Sequence, residues 1–204
     1  MSQSTGGLRA LKKQMTRESI STAALELALE KGFGRLTVEE IARRAIVSPR
    51  TFSNYFSSKD EAVVAAGNQY WVDVLDRLGD RPVDEHPLQS MRTLLVDATA
   101  ATDDPQLHQA IRTLRLCQQT PALRTSHVRL YARLEATLRT AVAARSRTDL
   151  DRDLYPWLIA ASAVAAMRSA MLLWMINDAA AEELPKLIGA AFDQVTGGLP
   201  APLD

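Results

Sequence analysis

An all-α fold is what the sequence predicts, and three observations predict it. No stretch keeps the two-residue apolar alternation of a strand, apolar residues recur three and four apart throughout, and the periodic runs end at Pro, Gly or clustered polar residues. Apolar residues make up 47% of the 204 positions and charged residues 24%, the balance of a folded soluble chain rather than a disordered one.

About nine helices are expected. The first runs from Thr16 to Lys31, with Ile20, Ala24, Leu27 and Ala28 on one stripe and Gly32 as its stop. The second starts at Thr37, an N-cap three residues before Glu40, which is the capping-box spacing. Val38, Ile41, Ala42 and Ala45 share its inner face. The third opens with Ser48 as N-cap and Pro49 in the first position, where a missing N–H costs nothing. It is only about two turns long. Ser57 and Ser58 break the pattern before a longer helix over 59–78, which ends at the Gly79-Asp80-Arg81-Pro82 turn. Further helices are expected over 87–101, 105–118, 121–145, 152–177 and 182–196. This divides the chain into a flexible basic arm at 1–15, a three-helix module at 16–58 and a helical body at 59–204.

Charge and cysteine usage narrow the class. The chain has no formal net charge, but residues 1–60 hold ten Lys/Arg against six Asp/Glu, a local +4 that suits contact with a polyanion. Cys117 is the single cysteine, so no intrachain disulfide is possible and a reducing cytoplasm is the expected setting. The start, MSQSTGGLRALKKQ, lacks the apolar core of a signal peptide. Residues 155–176 are apolar for nearly a membrane span, yet Arg168 lies well inside, Pro156 begins the run and there is no second such segment. A buried helix, and no membrane partner, is the expectation.

A short helix, a tight turn and a second short helix with an N-terminal Ser-Pro form a helix-turn-helix pattern, whose second helix lays side chains along base edges in the major groove. Phe52 and Phe56 stand four apart on one face and are expected to plug that helix into the core. Arg50, Thr51, Ser53 and Asn54 then point outward. Arg50 can fork onto guanine, Asn54 can pair with adenine or reach a phosphate, and Thr51 can meet a thymine methyl or a phosphate. Tyr55, Lys59 and Thr37 are suited to phosphates, which set register without reading sequence.

The run from Ser19 to Ala65 resembles the DNA-binding region of the TetR family of bacterial transcriptional regulators. The matching residues are Ala23-Ala24, Gly32-Phe33, Thr37, Ile41-Ala42, Val47-Ser48, Thr51, Tyr55-Phe56 and Lys59. The rest of the chain shares only the family's plan of a variable helical body. The resemblance implies a homodimer bound to a palindromic double-stranded DNA operator and a body that takes a small-molecule effector. Carried over by position, the DNA contacts are Thr37, Ser48, Pro49, Arg50, Thr51, Ser53, Asn54, Tyr55 and Lys59. One departure stands out: glycine is usual where this chain has Ile46. A β-branched residue suits a left-handed conformation poorly, so the turn is expected to be built differently.

An effector pocket needs apolar walls between helices, and Trp71, Leu75, Met91, Leu95, Leu114, Cys117, Tyr131, Leu134, Met167, Met171 and Trp174 supply them. Each taken alone is more often plain core; the Met-rich, aromatic set suits a sizeable apolar or amphipathic effector. Arg115, Arg168 or His127 could meet an anionic group on it. The last two helices resemble the family's dimerisation pair, which would bury Ile159, Ala163, Leu184, Leu187, Ala191 and Val195; closing the protomer's own core is the competing account. The function implied is a repressor released by its effector. The alternative is a helical small-molecule or lipid-binding protein whose helix-turn-helix has lost specific DNA binding. His86, His108 and His127 are scattered, and there is no Gly-rich phosphate loop, HExxH or cysteine cluster, so no enzyme, cofactor or metal site is expected.

Overall fold

A computed structural model describes residues 3–200, with side chains from Gly7 onward. Among the described residues every regular element is helical: α1 (Gln3–Lys31), α2 (Val38–Arg44), α3 (Pro49–Tyr55), α4 (Lys59–Asp76), α5 (Pro87–Ala100), α6 (Pro105–Gln119), α7 (Arg124–Ser146), α8 (Tyr155–Ile176) and α9 (Leu184–Thr196), with short 3-10 turns between some of them. The expected helices are all present. The largest difference is at the start of α1, which begins at Gln3 rather than Thr16. Met1 and Ser2 of the expected arm lie outside the described residues, and the rest of it is helical. Leu8, Ala10, Leu11, Lys12, Lys13, Gln14 and Met15 are strong helix formers with no breaker among them, which continues the helix upstream of its packed part.

Contacts divide the chain into two compact units, Met1–Gln69 with Gln109–Val128, and Tyr70–His108 with Arg129–Asp204. In the first unit α1 packs on α2, and α2 on α3, around Ile20, Ala24, Leu36, Ile41, Ala42, Phe52 and Phe56, all nearly inaccessible to solvent. Gly32 ends α1 at φ 85°, a conformation a side chain would strain. Gly67 in α4 marks a close approach to α6: a Cβ there would stand 2.7 Å from Thr113 Cβ and 2.9 Å from Ala110 Cα.

In the second unit α5, α8 and α9 pack on one another, burying Met91, Leu95, Ala163, Met167, Ile188 and Phe192. α8 is long and apolar enough to cross a membrane, and here one face of it is core. Arg145 gathers the connection between α4 and α5, its guanidinium donating to the carbonyls of Leu78, Arg81, Pro82 and Glu85. Four main-chain acceptors on one side chain give that connection a fixed path without secondary structure of its own.

Candidate nucleic-acid interface

The interface is built from two short helices whose ends are set by side chains. Thr37 caps α2: its hydroxyl accepts from Glu40 N–H, and the Glu40 carboxylate accepts in return from Thr37 N–H at 3.1 Å, completing the box. Lys31 also donates to Glu40. That hydrogen bond, and then the Thr37 hydroxyl, hold the Glu40 carboxyl down at about 2, so the box stays charged at any pH the cell meets. Ser48 caps α3 by accepting from Thr51 N–H at 2.9 Å, with Pro49 at the first position as expected.

The turn between them corrects the expectation for Ile46. This residue does take the left-handed conformation, at φ 56°. Two hydrogen bonds impose it: Val47 N–H donates to Ala42 O at 2.9 Å and Ile46 N–H to Arg43 O at 3.2 Å, the paired bonds of a Schellman stop. The side chain is 92% exposed, so it meets no neighbour and only the backbone strain is left to bear. The turn therefore has the usual shape without the usual glycine.

Across α3 the division expected from spacing holds. Phe52 and Phe56 are buried, their ring centroids 5.9 Å apart, while Pro49, Arg50, Ser53 and Asn54 are exposed and Thr51 and Tyr55 partly so. Ser53 Oγ donates to Pro49 O and Thr51 Oγ1 lies 2.8 Å from Ser48 Oγ, so both hydroxyls have local partners besides any base or phosphate. Arg50 and Asn54 stand one turn apart on the outer face. Lys59 has a second task that spacing did not reveal: its ammonium donates to Leu36 O at 2.8 Å and Phe33 O at 3.3 Å and lies 4.7 Å from the Phe33 ring centroid. It ties α4 to the loop before α2, with one of its three donors to spare. Arg17 has a role of the same kind that spacing does not show. Its guanidinium donates to Tyr55 O at 2.8 Å and lies 4.2 Å from the Phe56 ring centroid, holding α1 to the C-terminal end of α3.

The effector and dimer residues lie as follows. Trp71, Leu75, Met91, Leu95, Leu134, Met167, Met171 and Trp174 are buried in the second unit and Tyr131 is half-buried there. Leu114 and Cys117 belong to the first unit and are buried, and burial pushes the Cys117 thiol up to about 12, leaving it neutral. A cleft of about 420 Å³ in the second unit, walled by Tyr70, Asp73, Arg77, Asp97 and Asp104, shares no residue with that apolar set. Of the dimer set, Ile159, Ala163 and Leu184 are buried within the protomer, which is the competing account for those three; Leu187, Ala191 and Val195 are half-buried. The exposed side of α8 is a different one, with Leu158, Ala161, Ala165, Leu173 and Ile176 interrupted by the polar Arg168 and Ser169.

A capped helix-turn-helix with a buried aromatic plug and a polar outer face defines a DNA-binding protein of the helix-turn-helix class. The model of the tetR family of bacterial regulatory proteins matches residues 20–66, and that of the MftR C-terminal domain matches residues 85–200. The transcriptional regulator TcmR of Streptomyces glaucescens is 34% identical over 197 residues, covering 93% of this chain and 86% of that protein. A Mycobacterium tuberculosis relative, whose name, MftR, assigns it to the regulation of mycofactocin biosynthesis, is 27% identical over 92% of this chain and 93% of its own. Among solved structures, SmeT, the repressor of the Stenotrophomonas maltophilia efflux pump SmeDEF, superimposes with a TM-score of 0.57 at 20% identity, covering 94% of this chain and 99% of its own; it is also known in complex with triclosan. This chain belongs to the TetR family of bacterial transcriptional regulators.

Proposed function

We propose that the protein is a homodimeric repressor acting in the cytoplasm, which grips a palindromic operator with α3 of each protomer and releases it when a small apolar or amphipathic molecule binds the body. The observation that carries this reading is the outer face of α3, where Arg50 and Asn54 are exposed above the Phe52–Phe56 plug. Arg50 reads guanine and Asn54 adenine, Thr51 meets a base or a phosphate, and Ser48, Pro49 and Ser53 line the groove. Thr37, Tyr55 and the spare donor of Lys59 hold phosphates.

The second copy packs on the exposed strip of α8 together with the outer face of α9, where Leu187 and Ala191 are half-buried in the protomer and Ala190 is exposed. Small residues at Ala161 and Ala165 let the two helix pairs approach closely. The effector enters among the Met and aromatic side chains of the body, and it shifts the population from operator binding only by its difference in affinity for the two states. Capture of triclosan by SmeT, a protein of the same fold, supports an effector of that size.

The test is binding of the purified protein to the DNA flanking its own gene, beside a scrambled fragment of equal length, over a series of salt concentrations. A specific complex that outlasts the scrambled one as salt rises is the expected result. Equal, steeply salt-sensitive binding to both fragments would remove the operator reading.

A further inference from the structure

We propose that the N-terminal half of α1 is a second DNA-binding element, a basic helix that follows the phosphate backbone flanking the bases under α3. This rests on the operator-binding reading and extends it to residues that the helix-turn-helix does not contain. Arg9, Lys12 and Lys13 are exposed on a helix rather than on a coil, and among the described residues no carboxylate pairs with any of them. The first acidic residue in the chain is Glu18, so the whole segment before it carries one sign of charge.

Helical register places the stripe. Arg9, Lys13 and Arg17 follow at intervals of four and share one face. Arg17 shows where that face points: its guanidinium donates to Tyr55 O, at the last residue of α3, stacks on the Phe56 ring, and lies 4.0 Å from Glu61. Arg17 is thus engaged as a strut, and the two residues upstream of it on the same face begin at the C-terminal end of the recognition helix. At a rise of 1.5 Å per residue Arg9 lies about 12 Å beyond Arg17 along the axis. A recognition helix in the major groove has a phosphate strand at its end, and duplex DNA presents one charge per ~1.7 Å of its axis, so a row of two or three cations on a rigid rod meets several phosphates there. No concave site is needed: the segment offers point charges at helical spacing, which suits a linear polyanion.

A second polyanion has to be weighed. Leu8, Leu11 and Met15 are exposed beside the basic stripe, and a basic amphipathic helix can also lie on an anionic membrane. The strut from Arg17 to the end of α3 favours DNA, because it makes the stripe continuous with the reading face.

The experiment uses the full chain with Arg9→Ala and Lys13→Ala combined, on the protein's own operator fragment, with affinity measured across a salt series. The slope of log affinity against log salt should flatten by about 2 per protomer, since each lost phosphate contact removes roughly 0.9. Preference for operator over scrambled DNA should stay as in the wild type, and Arg9→Lys with Lys13→Arg should restore the slope. Arg152→Ala, which removes an exposed charge from the second unit, should leave it unchanged. An unchanged slope in the double variant, with the wild type still operator-specific, overturns the proposal and leaves the operator reading standing. Absence of specific binding by the wild type overturns both. Wild-type binding to phosphatidylserine vesicles that the double variant loses, with no change in the DNA slope, would assign the stripe to a membrane and overturn it as well.

Discussion

α3 and α8 both bury one face and expose the other, but what they expose is opposite in kind. α3 is seven residues long and shows solvent Arg50, Ser53 and Asn54 over a plug of two phenylalanines. α8 is 22 residues long, buries Ile159, Ala163, Met167, Ala170 and Trp174, and still shows solvent Leu158, Ala161, Ala165 and an Ile176 that is 79% exposed. An outer face that is polar on a helix too short to be stable alone points to a polar partner that reads it. An outer face that is mostly apolar or small, interrupted by Arg168 and Ser169, points to a partner that buries it. On the proposed function the two helices do different jobs, one towards DNA and one towards a second copy.

The largest expected effect breaks the α8 side. Ala165→Glu sets a carboxylate among the exposed small residues of α8, and a two-fold interface must bury two of them, with the exposed Arg168 one turn away as the only nearby cation on that helix. We expect a monomer by light scattering at concentrations where the wild type is a dimer, with helical content unchanged because the site is exposed in the protomer. A variant that remains dimeric would move the interface away from α8. Next comes the plug. Phe52→Ala removes a ring that is 2% exposed and should cost about 3–5 kcal/mol of stability, read as a lower denaturation midpoint. A loss below about 1 kcal/mol would mean that the module tolerates a collapsed plug. Smaller again is the outer face itself: Arg50→Ala should weaken operator binding by roughly 1–3 kcal/mol and relax preference at one base position, while leaving the denaturation midpoint in place. Uniform weakening over all sequences would demote Arg50 to a phosphate contact.

The same pair of helices explains how much of the molecule was legible in the sequence. In α3 the apolar residues fall four apart among polar ones, so period alone separates plug from reading face. α8 is apolar or small nearly all round, and period then has no contrast to work with; Ile159 and Ala163 look as suited to a partner as Ala161 and Ala165. Only packing against α5 and α9 decides which strip is left over. The helix boundaries were legible because caps and stops are local: Thr37 with Glu40, Ser48 with Pro49, Gly32. Lys59 and Arg17 were not read as struts because their acceptors, Leu36 O, Phe33 O and Tyr55 O, lie 23, 26 and 38 residues away in sequence. The cleft beside Tyr70 draws on residues from 70 to 106 and leaves no periodic trace. The upstream half of α1 looks like an arm in the sequence because glycines at 6 and 7 stand before a run of cations, whereas the helix propensity of the following residues favours continuation.

The smallest expected effect concerns the turn that joins the reading helix to its support. At Ile46 a β-branched residue is held at φ 56° by the two hydrogen bonds of the α2 stop, and its side chain touches nothing that would compensate. A left-handed conformation costs such a residue roughly 1–2 kcal/mol, and glycine avoids that while paying about 0.5–1 kcal/mol more in lost chain entropy. Ile46→Gly should therefore raise stability by about 1 kcal/mol or less, seen as a small rise in the denaturation midpoint, with operator affinity and salt slope unchanged because the backbone path is already the one glycine would choose. A fall in stability would mean that the strain is relieved by something other than the exposed backbone. A gain in stability with a change in operator preference would mean that Ile46 sets the angle at which α3 meets its bases, and the turn would then belong to the reading face rather than to its support.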